Sequence, residues 1–441
     1  MKTLIHNATI VNEGRIFVGS VVIDGDRISE VSENADYSEH SDYSEIIEAS
    51  GLILIPGVID THVHFRDGGL ADNPAGNFAT ESRAARAGGV TSVIDMPNTN
   101  PQTVTLEALE AKEARAAAVS TVNYGFMLGA TCDNLDWLLS VDPSRYAAIK
   151  LFLGSSTGNM LLADPDKLDR LFREARKLIV AHCEEEAVVQ ANLHNFKLEH
   201  QGKSTETAAL HPQIRNTEAC FLSTYKAIDR ARRYGTHLHI AHISTATELS
   251  LLSNFDLNKK NVTAEVTPNH LFFDSRDYAE LGNLIKCNPA IKSPDDRLAL
   301  WAALEDGLID TIATDHAPHT LAAKQRPYFD APSGIPSIQH SLQMMLEASI
   351  NDTDLMKLVV QKMCHNPALL FGIEERGFIR PGYKADLVLV RPGVEDKVTR
   401  ESLLYGCGWS PLEGQTFHTR VERVWVNGHE DGGAEPLTTS H

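Results

Sequence analysis

The stretch Gly57-Val58-Ile59-Asp60-Thr61-His62-Val63-His64-Phe65-Arg66 decides how this chain is read. It is a short apolar run ending in two histidines at i and i+2, and in an extended chain those imidazoles point to the same side. A strand that ends this way either builds a metal site or leaves costly polar rings to be solvated, and the pair alone does not choose between them.

Working outward, the first run extends over Leu54–His64, and seven more follow at Thr91–Met96, Val122–Leu128, Ala147–Leu153, Leu178–His182, Leu238–His242, Val262–Val266 and Thr311–Thr314. Most are separated by segments rich in Ala, Leu, Glu, Lys and Arg, namely Phe78–Ala87, Leu106–Ala118, Lys167–Arg176, Thr217–Tyr234 and Asp295–Leu304. Helices around Ile338–Ala348 and Leu355–Cys364 would follow the eighth strand. Eight β-then-α units argue for a (β/α)8 TIM barrel rather than a doubly wound sheet. No G-x-G-x-x-G follows the first strand, which leaves a dinucleotide site without support.

Outside this region, Thr3–Val11 and Val21–Arg27, with a hairpin signal at Asp24-Gly25, read as β-strands, and so do Ala385–Val390 and Val421–Gly428. Short strands need partners to bury a face, so both chain ends are expected to form one small β-sandwich domain. The expected organisation is residues 1–55 with 380–430 as this composite sandwich, 56–379 as the (β/α)8 barrel, and 431–441 as a frayed tail. The polar stretch Glu33–Tyr43 reads as a surface loop.

The 441 residues, 42% of them hydrophobic, are enough to bury a large core. Lys and Arg total 40 against 59 Asp and Glu, a net charge of −19 that argues against nucleic acid or an anionic membrane as partner. Six cysteines (Cys132, Cys183, Cys220, Cys287, Cys364 and Cys407) form no C-x-x-C pair, which fits free thiols in a reducing compartment. The first residues contain no apolar core of a secretory leader, and no stretch reaches the roughly 18 apolar residues of a membrane span, so a cytoplasmic protein is expected.

In a barrel of this kind the strand ends meet at one mouth. Besides His62 and His64, those ends carry Lys150, His182, His242 and Asp315. Four imidazoles and a carboxylate without thiolate suit zinc or a similar ion in a catalytic site. Lys150 is flanked by apolar residues, a setting in which a lysine stem usually packs while its ammonium reaches outward. Beside two divalent ions it would instead be deprotonated, and a neutral amine can take up carbon dioxide to become an anionic carbamate.

With these residues in view, the chain resembles the amidohydrolase superfamily. Within it, Gly57–Arg66, Asp95-Met96-Pro97-Asn98-Thr99, Ala241–Thr245, Lys286–Ile291 and Thr314–His319 are similar to the dihydroorotase family over about residues 2 to 430. The resemblance implies two Zn2+ bridged by carboxylated Lys150 and a hydroxide, with His62, His64 and Asp315 on the more buried ion and His182 and His242 on the more exposed one. It implies Asp315 as proton shuttle, and Arg66, Asn98, Asn288 and His319 as contacts to a small anionic substrate, dihydroorotate, opened reversibly to N-carbamoyl-L-aspartate in de novo pyrimidine synthesis. A homodimer is a family expectation. Two departures concern substrate contacts: Arg66-Asp67-Gly68-Gly69 stands where many members have Arg-Glu-Pro-Gly, and Asn269-His270 where paired histidines are common. The alternatives are allantoinase, which tends to have Ser and Cys in the motifs holding Asn288 and His319, hydantoinase, which typically lacks the Arg after H-x-H, and a catalytically dead scaffold.

Other features read as supporting structure. His316 is expected behind the ligands and Asp60 to donate or accept a supporting hydrogen bond. Glu184-Glu185-Glu186 is expected in the first turn of a helix, where the dipole favours acidic groups. His237 and His239 are not expected to bind metal, Trp137, Trp301, Trp409 and Trp425 read as packing residues, and Gly154–Gly158 as an active-site loop.

Overall fold

The computed structural model describes residues 2–33, 43–67, 73–154, 160–199 and 208–440. The loop expected over Glu33–Tyr43 and most of that over Gly154–Gly158 lie outside the described residues.

Five strands come from the first end of the chain: β1 (Lys2–Asn12), β2 (Arg15–Asp24), β3 (Arg27–Glu33), β4 (Glu45–Glu48) and β5 (Ile53–Pro56). Eight more follow: β6 (Val58–Val63), β7 (Val90–Asp95), β8 (Asn123–Gly129), β9 (Ala148–Phe152), β10 (Ile179–His182), β11 (Leu238–Ile240), β12 (Val262–Val266) and β13 (Thr311–Ile312). The far end contributes β14 (Leu387–Lys397) and β15 (Thr416–Trp425). Strands β6 to β13 pair in sequence order, each parallel to the next. A parallel bridge between Val63 and His316, with His64 N donating to His316 O at 2.7 Å, joins the two edges of that sheet. The expected (β/α)8 barrel is the observed fold.

Helices cover the barrel where local chemistry starts and stops them. Asn77 caps Phe78–Ala87 in a reciprocal box with Thr80, Asp164 caps Pro165–Glu174 ahead of a proline at its first position, and Ser293 and Asp296 box the start of Pro294–Glu305. Thr217–Tyr234 ends on Gly235 at φ +72°.

The strands of the expected sandwich hydrogen-bond as one seven-stranded sheet in the order β15-β14-β5-β1-β2-β3, with β4 also on β1. A bulge between Ile5 and Ala8, with Asn7 at φ +58°, lets β1 pair with β4 before the break and with β5 after it. Its buried face, including Ile5, Ile10, Val21, Leu54, Leu387 and Trp425, forms a core of its own. The apolar run Leu54–His64 is thus shared between two sheets. It divides at Gly57, whose absent side chain leaves room for Thr91: a Cβ there would lie 2.1 Å from Thr91 Oγ1.

Residues 431–440, expected to fray, are held. Tyr124 N donates to Glu435 O at 3.2 Å, Leu437 N to Tyr124 O at 2.8 Å, and Ser440 N to Gly372 O at 2.8 Å. Leu437 fits over Gly125, and Arg376 pairs with Glu435, so packing and charge order a segment whose composition reads as loose.

Candidate active site

His62 is buried at the end of β6, and His64 lies just beyond it. His62 Nδ1 is 2.7 Å from Glu265 Oε1 on β12, and His64 Nδ1 is 2.6 Å from Asn98 Oδ1. Both partners are acceptors, so each Nδ1 carries the proton and each Nε2 presents a lone pair. Those lone pairs face one carboxylate oxygen: Asp315 Oδ1 is 3.3 Å from His62 Nε2 and 2.9 Å from His64 Nε2. Three acceptors converging in a buried site repel one another unless a cation lies among them.

On the other side, His182 Nδ1 is 3.0 Å from His242 Nε2, and His242 Nδ1 is buried without a hydrogen-bond partner. Atoms of His62, His242 and Asp315 lie within 4.8 Å of one another, a group that could hold a metal ion. Burial keeps the imidazoles of His64 and His242 well below the ordinary range, hence neutral and able to ligate. Lys150 is also buried, its Nζ has no hydrogen-bond partner, and its charge acts on His62, His64, His242 and Asp315. Burial, opposed by Glu265 and Asp315, brings its ammonium down to about 8. His62, His64, His182, His242 and Asp315 thus lie close together with Lys150 near enough for its charge to act on them, and His62, His242 and Asp315 form a donor set that suits a divalent ion.

Three of the site residues hold left-handed backbone: Arg66 at φ +63°, His242 at +40° and Asp315 at +49°. Each such conformation costs a non-glycine residue about 1–3 kcal/mol, and here each sits where the chain leaves a barrel strand. Neighbouring groups hold them. Asp95 Oδ1 accepts from Phe65 N at 2.8 Å, Glu265 Oε1 accepts from His242 N at 3.2 Å, and Asp60 accepts from both the amide and hydroxyl of Thr314 and from His62 N. Asp60 thus supports the ligands as expected from its position, its carboxyl pushed by burial to about 7.

A small hollow of about 20 Å³ opens beside Asp315, with Arg66, Asn98, Asn288, Ser333 and Gly334 in its wall. Arg66 donates to Pro318 O at 3.2 Å and meets His319 Nε2 at 3.1 Å; it pairs with no carboxylate among the described residues. Burial lowers its guanidinium to about 10, so it stays charged at neutral pH. His319 lies behind it, held to Ser333 O at 3.0 Å, with burial and Arg66 bringing its imidazole to about 2. Asn288, in the same wall, has a buried Oδ1 without a hydrogen-bond partner. A larger hollow of about 300 Å³, between Phe272 and Gln415, contains none of these groups.

Other side chains act differently from their sequence reading. Glu184 is not a solvated first-turn residue: the helix starts at Glu186, and Glu184 is buried between His182, at 3.0 Å, and Arg215. Burial would raise it, but Arg215 and His182 bring it down to about 2. Trp409 does more than pack, since its Nε1 donates to His319 O at 2.7 Å. His316 lies behind the ligands, its ring bonded to Glu81 at 2.8 Å while its carbonyl accepts from His64 N. His239 is held by Thr263 at 2.8 Å and Thr311 at 3.3 Å, and His237 is exposed. Glu265, which orients His62 and His242, was not anticipated. Its signal was a lone carboxylate inside an apolar strand, the same anomaly that marked Lys150.

Residues 53–430 match the model of the amidohydrolase family. The chain belongs to that family. This amidohydrolase is 35% identical over 406 residues to a dihydroorotase of Halobacterium salinarum, covering 92% of this chain and 91% of that one. It is 27% identical to an allantoinase of Salmonella choleraesuis, covering 96% and 94%. Among solved structures, the L-hydantoinase (dihydropyrimidinase) of Arthrobacter aurescens superimposes with a TM-score of 0.91 at 26% identity, covering 99% of both chains.

Proposed function

We propose that this cyclic amidohydrolase opens dihydroorotate to N-carbamoyl-L-aspartate and closes it again, using two zinc ions held by His62, His64, the carbamate of Lys150, His182, His242 and Asp315. Divalent ions bound there supply Lewis acidity and bring the pKa of water into the neutral range. Asp315 faces the ligand cluster on one side and the hollow on the other, so its carboxylate takes the proton of the attacking water and delivers it to the ring nitrogen that leaves. Glu265 and Asn98 keep His62 and His64 in the tautomer that offers Nε2.

The observation that carries the substrate reading is Arg66. A charged guanidinium in the wall of the hollow, in a molecule of net charge −19, offers a planar fork to a carboxylate. Dihydroorotate carries such a group, and the rings of hydantoin and allantoin do not. The test is to offer dihydroorotate, allantoin and hydantoin to one preparation of measured metal content. Turnover of dihydroorotate well above the other two supports the reading, preference for either of the others refutes the substrate, and no turnover by fully loaded protein points to a dead scaffold.

A further inference from the structure

Lys324 ends the short helix Leu321–Lys324, five residues after His319, and is 1% exposed. Its ammonium meets no carboxylate among the described residues. Instead its Nζ donates to three main-chain carbonyls, Lys286 O at 3.0 Å, Pro332 O at 3.0 Å and Gly334 O at 2.8 Å. Burial lowers the Lys324 amine to about 7, but three carbonyl acceptors call for three N–H donors, which only the ammonium has, so all three are used.

Those carbonyls belong to separate pieces of the substrate hollow. Lys286 lies two residues before Asn288, and its carbonyl also accepts from Gly334 N at 2.8 Å. Pro332 and Gly334 flank Ser333, whose carbonyl meets His319. Gly334 has no room for a side chain: at φ +144°, a Cβ would lie 2.3 Å from Ala317 O. Lys286 ties the same segment from below, donating to Tyr328 O at 2.7 Å and Ala331 O at 2.6 Å. A buried cation without an anionic partner is a poor source of stability compared with an apolar residue of the same size, so its use here is geometric.

We propose that Lys324 is a positioning residue for substrate binding, pinning the Asn288 wall, the Ser333–Gly334 wall and the His319 segment to one another. This rests on the hollow being the substrate site, as the proposed function has it. It requires neither contact with substrate nor any part in proton transfer.

The test compares Lys324→Met and Lys324→Gln with the wild type, at measured metal content, on whichever cyclic amide the wild type opens. Lys324→Met is expected to raise KM about tenfold or more, the equivalent of one or two lost wall contacts, with kcat within about threefold and metal content unchanged. Lys324→Gln keeps two N–H donors and should fall between. A KM within about twofold of wild type in either folded variant, whatever its melting temperature, overturns the inference. Failure of both variants to fold also overturns it, because the ammonium would then serve folding rather than the hollow. The substrate reading fails separately, in the wild type, if dihydroorotate is not opened.

Discussion

Asp315 and Arg66 share one wall of the hollow, yet their removal should read differently. Replacing Asp315 with Asn keeps the shape but removes the base, so kcat should fall by about a hundredfold or more while substrate still binds. Steady-state kinetics on protein with quantified metal separates this from simple ion loss, and a retained rate would exclude the shuttle role. Arg66→Ala removes a charged fork whose hydrogen bonds are worth about 1.5–3 kcal/mol, so KM for dihydroorotate should rise roughly tenfold to a hundredfold. A ring lacking the carboxylate should lose far less, and equal losses would remove the reason for assigning Arg66 to recognition. At this scale residue type was legible and role was not. The histidines at strand ends could be named from their spacing, but which nitrogen each presents depends on Glu265 and Asn98, partners 203 and 34 positions away.

Among the elements, the strand β5–β6 shows how one apolar run serves two sheets. Hydrophobicity alone marks it as continuous, and at the break, Gly57, the side chain of Thr91 occupies the space a Cβ would take. Gly57→Ala should therefore force Thr91 or the backbone to move and destabilise the protein by about 1–3 kcal/mol, read as a shift in the denaturant midpoint. An unchanged midpoint would show that Thr91 gives way without cost. The helices were mostly legible because a run of helix-favouring residues is a local signal. Leu355–Cys364 departs from expectation: the α-helix spans Thr353–Val360, and Gln361–His365 widens into a π-turn. There buried Lys362 donates to Ile309 O and His365 bonds to Gly377 O, tertiary contacts that no periodicity announces.

Across the whole molecule, the far end of the chain is tied down at Arg376. Its guanidinium pairs with buried Asp386 beside β14, with Asn427 and with Glu435 of the terminal segment. Arg376→Met would leave Asp386 buried without its main counter-charge, at a cost of about 3–5 kcal/mol measured by denaturation. Turnover by the folded fraction should be unchanged, since Asp386 bonds Asn123 at the start of β8, the end of the barrel opposite the ligands. A loss of activity without a loss of stability would contradict that separation. The alternation of strands and helices, the barrel they imply and the placing of metal-binding residue types at five of the eight strand ends were all determined by the sequence by itself, because period and side-chain chemistry are properties of neighbouring residues. Only the tertiary structure decided that Glu265 orients two histidines, that Glu184 is buried against Arg215, that Lys324 gathers three carbonyls and that the last residues are ordered. Each of those depends on groups far apart in the chain being brought within hydrogen-bonding distance where water is excluded, and a one-dimensional pattern carries no measure of that distance.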